Sequence, residues 1–412
     1  MKSTHIPFQK TGFFSKTMTD YLDQKESIQP FYNNFPDMEG FASQINEKKK
    51  SFDSATRLKL VNVLKDQYRN LAVTEATTEN INSLENEETF TITTGHQLNL
   101  FTGPLYFLYK IISTINLTEI LAEQFPNQRF VPVFWMATED HDFEEINYFN
   151  FKEEKVTWDR PNGGAVGRFS LEGLQEVHAH FSQQLGDTKN AIFLSQLFKK
   201  AYVSHSNLAD ATRYIANELF KSYGLVILDA DDQRLKNIFA PVMKDELLYQ
   251  TSKKAVSKTI LNLEKDYKIQ VNPRDINLFY LSENSRERII ESKGLFKIHN
   301  TDIVFSKAEI LEELDNHSDR FSPNVLMRPL YQEVILPNLC YIGGGGELAY
   351  WMQLKGYFET VKIPFPSLLL RNSVQIVSHK QVKQLQNLDV SFEEMFLKQH
   401  LLIAKKVKEK SD

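Results

Sequence analysis

Hydrophobic positions divide the chain into a helical first part and an alternating second part. The first stretch of about ninety residues has apolar side chains at helical spacing among polar ones, as in KKKSFDSATRLKLVNVLKDQY. Five short apolar or β-branched runs follow, each ending in polar residues or glycines before a helical pattern: TFTITT, FVPVFWMAT, GLVILDA, NLCYI and PSLLL. Strands that alternate with helices predict an α/β fold with a parallel sheet.

The polar residues that follow these runs are the candidate site. They are Gly95, His96 and Gln97; Glu139, Asp140, His141 and Asp142; Asp231 and Asp232; Gly343, Gly344, Gly345, Gly346 and Glu347; and Arg371, Asn372 and Ser373. Any one cluster could be an ordinary connector. Because parallel sheets bind ligands beyond the carboxyl ends of their strands, we predict that His96, Asp140, His141, Gly344 and Arg371 meet in one crevice.

Two interpretations of His96 are open. Beside Gly95 and before a helix, it could donate a hydrogen bond to a phosphate or to a developing oxyanion, helped by exposed backbone N–H groups. It could also cap or pack the corner between the strand and the helix. Lys110, further along the same helix, is expected to be solvated or snorkelling rather than a phosphate ligand.

The run from Glu139 to Asp142 is the densest group of titratable residues. These side chains cannot all be buried and charged, so some must face solvent, a ligand or one another. One interpretation is a general base or a Mg²⁺-nucleotide site, since Mg²⁺ prefers oxygen ligands. The other is a set of helix N-caps with a histidine bonded to an aspartate. No second cluster has the spacing of a zinc ligand pair, so no dedicated metal ligands are assigned.

The run IGGGGELAYWMQLKGYF predicts a strand, a glycine turn and a helix. Glycines let the backbone approach a ligand closely, and a helix N-terminus directs N–H groups at anions. Gly343 to Gly346 are therefore candidate binding residues, although the run is neither a Walker loop nor a GxGxxG fingerprint. Glu347 in the first helical turn is favoured by the helix dipole alone.

Two segments interrupt the alternation of strands and helices. Residues 152–207 and 252–320 contain turn signals and short β runs, and they predict two insertions into a sheet domain of residues 1–375 that includes the N-terminal helical segment. Residues 376–412 predict a C-terminal helical segment. A helix between about Val390 and Lys408 would expose an apolar stripe.

Composition and charge limit the classes of partner that the protein is expected to bind. The chain of 412 residues has a net charge of −5 and a pI near 6.1, so no general basic field favours nucleic acid as a partner. No long apolar run or signal-peptide segment is present, which predicts a cytoplasmic protein without a membrane partner. Cys340 is the only cysteine, so we expect a small buried residue and no disulfide.

Several long motifs closely resemble the bacillithiol biosynthesis cysteine-adding enzyme family: TGHQLNLFTGPLY, VPVFWMATEDHDFEEIN, YGLVILDADD, FSPNVLMRPLYQEVILPNLCYIGGGGELAYW and QLKGYF. They occur in the same order from about Thr91 to Ser373. The resemblance implies a Rossmann-like core with two connecting-peptide insertions, similar in plan to class I aminoacyl-tRNA synthetases, and then a dimerising C-terminal coiled coil. It also implies the last step of bacillithiol biosynthesis, in which cysteine and malyl-glucosamine are the substrates of amide bond formation.

The resemblance also implies roles for the candidate residues. Gly95, His96 and Gln97 would take the place of the synthetases' histidine-bearing phosphate loop. On the ligase hypothesis the catalytic residues are His96, Asp140, His141 and Asp142. The expected substrate- or nucleotide-binding residues are Gly95, Gln97, Gly343, Gly344, Gly345, Gly346, Glu347 and Arg371.

Two questions of function stay open at this point. No motif identifies the cosubstrate, for which ATP with Mg²⁺ is the candidate. The alternative to a ligase is a non-catalytic scaffold that binds nucleotide or intermediate and supports another ligase. Clustering of titratable groups at strand ends favours the ligase. A homodimer is expected for the full-length family, whereas these 412 residues, which stop where the coiled coil would start, are expected to be monomeric or weakly associated.

Overall fold

The protein is described here by a computed structural model that covers residues 3–411. Its strands are β1 (Thr89–His96), β2 (Arg129–Met136), β3 (Tyr148–Phe151), β4 (Glu154–Thr157), β5 (Val226–Asp229), β6 (Leu278–Leu281), β7 (Arg286–Ser292), β8 (Leu295–Ile298), β9 (Val304–Ser306), β10 (Phe321–Pro323), β11 (Asn338–Gly343) and β12 (Ser367–Leu370). Its α-helices are α1 (Phe8–Thr11), α2 (Lys16–Leu22), α3 (Met38–Ser51), α4 (Ser54–Gln67), α5 (Glu75–Ser83), α6 (Tyr106–Gln124), α7 (Phe143–Ile146), α8 (Leu174–Leu185), α9 (Lys189–Val203), α10 (Leu208–Phe220), α11 (Gln233–Tyr249), α12 (Thr251–Leu263), α13 (Lys307–Asn316), α14 (Arg328–Ile335), α15 (Gly345–Gln353), α16 (Lys355–Val361), α17 (His379–Asn387) and α18 (Gln399–Ser411).

Five parallel strands form the central sheet in the order β12-β11-β1-β2-β5. Each of the five hydrophobic runs singled out in the sequence forms one of these strands, which confirms the predicted α/β fold with a parallel sheet. The register pairs His96 with Met136 and Gly343 with Leu370. The carboxyl ends of all five strands therefore lie along one edge of the sheet.

The strand order reverses between β1 and β11. From β1 the chain builds outwards to β2 and β5, and it then crosses to β11 and β12 on the other side. Such a reversal is the topological switch point of a doubly wound sheet, where connections leave a crevice beyond the strand ends. Gly95 and His96 end one of the two bordering strands, and Gly343 ends the other.

Helices cover both faces of this sheet. On one face, α6 packs on β1 and β2, and α3 packs on β11 and β12. On the opposite face, Tyr331 of α14 contacts Trp135 of β2, whose neighbour Phe134 contacts Phe107 of α6. Since the strands are covered on both faces, their side chains are buried almost throughout, with Ile92, Phe134 and Ile227 completely buried. Cys340 in β11 is also buried, as expected. Among the described helices, none combines the length and the apolar character needed to cross a bilayer.

The first predicted insertion, residues 152–207, lies between β2 and β5. It begins with the antiparallel hairpin of β3 and β4, whose pairing starts at Tyr148, four residues before the predicted boundary at position 152. Helices α8 and α9 then pack on each other through Phe181 and Phe198, whose rings are 5.7 Å apart. Helix α10 follows and returns the chain to the central sheet.

The second predicted insertion, residues 252–320, contains more helix than its sequence suggested. Its first part is helix α12, which buries Val256, Ile260 and Leu263 at helical spacing and packs on α16. The rest is an antiparallel sheet in the order β10-β6-β7-β8-β9 together with α13. Strand β10 pairs with β6 through Pro323 and so extends beyond position 320.

The segment 376–412, predicted to be helical, contains α17 and α18, but neither helix follows the expected span from about Val390 to Lys408. Helix α17 starts at a capping box formed by Ser378 and Gln381, and α18 starts only at Gln399, so Val390 lies between the two helices. The reason is that capping and turn residues, which local apolar spacing does not register, set these boundaries. The expected apolar stripe is present, since Leu401 is 50% and Val407 is 61% exposed.

Candidate active site

His96 is a buried histidine at the carboxyl end of β1. The residue is 8% exposed, and its ring lies 5.3 Å from the ring of Tyr106 in a stacked arrangement and meets Phe107 edge-on. The Nδ1 atom is 3.0 Å from the Gln97 carbonyl oxygen, and the buried Nε2 has no hydrogen-bond partner. Burial, assisted by the charge of Lys110, lowers the pKa of His96 to about 4. The imidazole is therefore neutral near pH 7 and presents a lone pair at Nε2 when Nδ1–H donates to the carbonyl.

The four glycines divide between a strand, a cap and a helix. Gly343 is the last residue of β11, Gly344 is the N-cap of α15, and Gly345 and Gly346 form its first turn. No side chain caps this helix at Gly344, so the first-turn N–H groups are available to a ligand. Only Glu347 reaches back, where its Oε2 accepts from the Gly344 N–H at 2.7 Å.

Lys110 is buried, which makes the prediction of a solvated lysine wrong. Its Nζ donates to the Gly95 carbonyl oxygen at 2.7 Å and forms an ion pair with Glu347 at 2.7 Å. Lys110 lies one turn into α6, on the face that packs against the end of the sheet, and its partner is 237 residues away. Burial lowers the pKa of Lys110 in spite of Glu347. The pair ties the β1 corner to the glycine loop across the switch point.

Glu347 is held in its charged form by these contacts. Burial would raise the pKa of this carboxyl group, but the charge of Lys110 and the hydrogen bond from the Gly344 N–H outweigh burial and lower it. The hydroxyl of Tyr341 also donates to Glu347 Oε1 at 3.0 Å. Glu347 thus connects α6, β11 and the start of α15 in addition to capping its helix.

Arg371 follows β12 and reaches the same crevice. Its backbone N–H donates to the Gly343 carbonyl oxygen at 2.9 Å, and its guanidinium lies 4.8 Å from the ring of Tyr106. Tyr106 therefore contacts both His96 and Arg371. The Nε atom of Arg371 is buried and has no hydrogen-bond partner.

Arg328 at the start of α14 completes the cationic side of the crevice. Its guanidinium lies among the rings of Trp135, Tyr341 and Trp351, at 5.6, 5.5 and 5.8 Å from their centroids. Its Nη1 is 3.8 Å from the point that a Cβ atom on Gly95 would occupy. The Nη2 atom is buried without a partner. This residue was not predicted as part of the site.

Asp140 is joined to the β1 corner by Gln97. The Gln97 Nε2 donates to Asp140 Oδ2 at 3.0 Å and to Glu145 Oε2 at 2.9 Å. Burial would raise the pKa of Asp140, but hydrogen bonds from His141 and Gln97 outweigh it and lower the pKa to about 2. Asp140 is therefore an anion at any pH above this value.

His141 contacts an arginine from the second insertion. The Nη1 of Arg286 on β7 lies 3.1 Å from His141 Nδ1, and the same guanidinium lies 4.1 Å from the ring of Phe279. Possible ligand atoms of Asp140, His141 and Asp142 come within 4.8 Å of one another. With Nδ1 of His141 occupied by Arg286, the carboxylates of Asp140 and Asp142 are the oxygen donors that fit Mg²⁺.

Glu139 points away from these residues, into a buried ion-pair network. Its Oε1 lies 2.7 Å from Lys236 Nζ, which also contacts Asp231 at 2.9 Å. Arg168 binds both carboxylate oxygens of Asp231, at 2.7 and 2.8 Å. The structure thus separates Glu139 and Asp231 from the crevice. It places His96, Gly344 and Arg371 side by side and links Asp140 and His141 to them through Gln97.

Comparison with known proteins agrees with this fold. Residues 1–372 match the family described as bacillithiol biosynthesis BshC, N-terminal Rossmann-like domain. The chain belongs to this family. It is 57% identical over 403 residues to the Flavobacterium johnsoniae protein named "Putative cysteine ligase BshC", covering 98% of this chain and 76% of the relative. Relatives of the same name in Flavobacterium psychrophilum and Cytophaga hutchinsonii are 56% and 44% identical, with 100% and 95% of this chain and 78% and 73% of the relatives covered.

In this member of the BshC family, sequence reasoning missed three cations near the site: Lys110, Arg286 and Arg328. Each lies within a helix or strand rather than after one of the five central strands. One local signal was available for Arg328, because the run MRPLYQE places it immediately before a proline that starts a helix. Nothing local distinguishes Lys110 or Arg286 from a solvent-facing residue.

Proposed function

We propose that this chain joins cysteine to malyl-glucosamine through an amide bond, as the last step of bacillithiol synthesis. Membership of the BshC family and the ligase name of the relatives support this reaction. The observation that carries it at the level of residues is a set of buried nitrogen atoms without partners: His96 Nε2, Arg328 Nη2 and Arg371 Nε. Buried polar atoms are normally paired, so these three favour a polar ligand at the switch point.

The cationic side of the crevice suits an oxyanion. Arg328 and Arg371 offer guanidinium groups, and the first turn of α15 adds the N–H groups of Gly345 and Gly346. Amide formation from a carboxylate needs a route for one carboxylate oxygen to leave. ATP with Mg²⁺ is the proposed cosubstrate, because phosphate transfer supplies that route, and these donors suit both phosphate and carboxylate oxygens.

His96 is proposed as the acceptor of a proton from the attacking amine. In the balanced reaction, a phosphoanhydride bond of ATP and a C–O bond of the cysteine carboxylate would break, and the departing oxygen would leave on the phosphate. A C–N bond would form, and the glucosamine nitrogen would lose a proton. The neutral imidazole offers a lone pair at Nε2, and an anion bound close by would raise its pKa from about 4 towards the useful range. Asp140 and Asp142 on the other side would bind an ammonium group or Mg²⁺.

A direct assay tests the proposal. Purified protein is incubated with malyl-glucosamine and cysteine, with and without ATP and Mg²⁺, and bacillithiol is followed by mass spectrometry. We expect product only in the complete mixture, and none from His96→Ala. The matched control is His205→Ala, because His205 bonds only to carbonyl oxygens near the end of α9. Folded wild-type protein that binds malyl-glucosamine yet forms no product would instead support the scaffold role.

A further inference from the structure

A chain of buried polar side chains leads from helix α3 to the crevice. Lys48 Nζ is 2.9 Å from Glu333 Oε2, Gln332 Nε2 donates to Glu333 Oε1 at 3.0 Å, and Arg328 Nη1 donates to Gln332 Oε1 at 3.1 Å. We name Lys48, Glu333, Gln332 and Arg328 the polar relay. Its inner three members, Lys48, Glu333 and Gln332, are each at most 1% exposed.

The charges at the two ends of Gln332 determine the orientation of its side-chain amide. The Gln332 amide has one end that donates and one that accepts, and it lies between a carboxylate and a guanidinium. If the amide were reversed, oxygen would face oxygen at Glu333 and N–H would face N–H at Arg328. Lys48 and Asn338, which donates to Glu333 Oε1 at 2.6 Å, satisfy the buried carboxylate. Gln332 therefore has a single favourable orientation.

The free end of the polar relay lies in the crevice. Arg328 and Gln332 are four residues apart on one face of α14, so the contact between them fixes the guanidinium relative to the helix. Three aromatic rings surround it and leave no carboxylate in contact with Arg328 in the described chain. Nη1 is committed to Gln332 and lies 3.8 Å from the point that a Cβ atom on Gly95 would occupy, while Nη2 is buried without a hydrogen-bond partner.

We infer that Arg328 binds an oxyanion of the ligand through the guanidinium N–H groups that Gln332 leaves free, and that Gln332, Glu333 and Lys48 are positioning residues for this guanidinium. The ligand group is a carboxylate or a phosphate, which share the planar or tetrahedral oxygen pairs that a guanidinium recognises. The inference rests on the proposed function only for the identity of the substrate. Anion binding by Arg328 and its dependence on Gln332, Glu333 and Lys48 do not require the proposed reaction.

Calorimetric binding of two probes, L-malate and inorganic phosphate, tests the inference and distinguishes the two sources of the anion. Gln332→Met keeps the volume of the side chain but removes both hydrogen bonds, and we expect roughly tenfold weaker binding of the preferred probe, the effect of one charge-assisted hydrogen bond. Arg328→Lys, which keeps the charge but loses the fork, should weaken binding at least as much.

The matched control is Gln353→Met. Gln353 is also completely buried, and it bonds to the backbone of positions 270 and 271 rather than to a member of the polar relay. This variant should lower the melting temperature as Gln332→Met does while leaving probe affinity unchanged. A double variant, Lys48→Met with Glu333→Gln, removes both buried charges together and should weaken binding by a few-fold. It also carries the test if Gln332→Met does not fold.

The outcomes separate the inference from the proposed function. Unchanged affinity for both probes in folded Gln332→Met, or in the double variant, would overturn the inference, as would wild-type protein that binds neither probe. Weakened probe binding in the relay variants, with wild-type affinity in Gln353→Met, supports it. If that pattern occurs in a protein that makes no bacillithiol, the proposed reaction fails and the anion site stands.

Discussion

The carboxyl edge of the central sheet has two halves that use similar residues differently. At β2 and β5, three cations face carboxylates: Lys236 contacts Glu139 and Asp231, Arg168 binds Asp231 through two bonds, and Arg213 lies 3.8 Å from Asp229. At β11, β1 and β12, Arg328 and Arg371 form no ion pair within the described chain.

This difference separates structural charges from candidate functional charges. Buried charges in an ion pair depend on each other, because removal of one partner leaves the other charge buried and uncompensated, which destabilises the fold. A guanidinium without a carboxylate is instead available to an anionic ligand. Lys110 belongs to the paired type although it lies in the crevice, since Glu347 balances it. We therefore expect Arg328 and Arg371 to bind an anionic ligand, and Lys110 to hold the β1 corner to the glycine loop through Glu347.

The largest effect is expected from Lys236→Met. The substitution leaves the buried carboxylates of Glu139 and Asp231 without their shared cation, so we expect a loss of about 3–5 kcal/mol in the free energy of unfolding. Urea unfolding followed by circular dichroism measures it. Lys65→Met is the control, because the pair of Lys65 with Glu85 is exposed and 3.4 Å apart. A loss of unfolding free energy no larger than in the control would show that the ion pairs at β2 and β5 do not stabilise the fold.

Arg371→Ala should have the opposite profile. Since Arg371 has no carboxylate partner, its loss should hardly change unfolding, whereas bacillithiol formation should fall roughly 10²–10³-fold if the guanidinium stabilises developing charge. Arg129→Ala at the opposite edge of the same sheet, where Arg129 contacts Glu79, should retain activity. Equal activity of the two variants would show that the unpaired half is not the catalytic half.

A pH effect is expected from His96. Its pKa of about 4 in the folded protein lies below the usual value of 6.5, so the unfolded chain binds the extra proton in the window between these values. Stability is thus fully present above pH 6.5 and is lost as the pH falls through this window, by about 2 kcal/mol between pH 7 and pH 5.

Comparison of the wild type with His96→Gln at these two pH values isolates this contribution. The variant should have the shallower pH dependence of the urea midpoint. Parallel pH profiles would mean that His96 is not buried as a neutral base.

The smallest effect is expected from Gln97→Leu. This change removes the hydrogen bond that joins the two sides of the site, so the pKa of Asp140 should rise. We also expect kcat/KM to fall several-fold, which corresponds to a loss of about 1 kcal/mol of transition-state stabilisation. The pH dependence of kcat/KM records both. Gln128→Leu, which loses only a contact with Glu88 at 3.2 Å near the other edge, should behave as the wild type. A change of stability without a kinetic change would make Gln97 purely structural.

Much of the fold and part of the site could be predicted because the relevant signals are local. An apolar run followed by glycine or acidic residues identifies a strand and its carboxyl end, and so His96, Gly344, Asp140 and Arg371 were all identified as candidates at one edge of the sheet. The second insertion contains helix α12, which was not predicted although its buried residues have helical spacing, whereas the errors in the C-terminal segment arose at helix boundaries. There, a cap such as Ser378 outweighs the apolar spacing.

The sequence by itself determined the alternation of strands and helices, the polar strand ends and the resemblance to a family. Only the tertiary structure decided which charges are paired. Lys110 and Glu347 are 237 residues apart, and Lys48 and Glu333 are 285 apart, so no local pattern records that these lysines are buried with a partner. The physical reason is that the cost of burying a charge depends on what lies within a few ångströms, and the chain order contains that information only after folding.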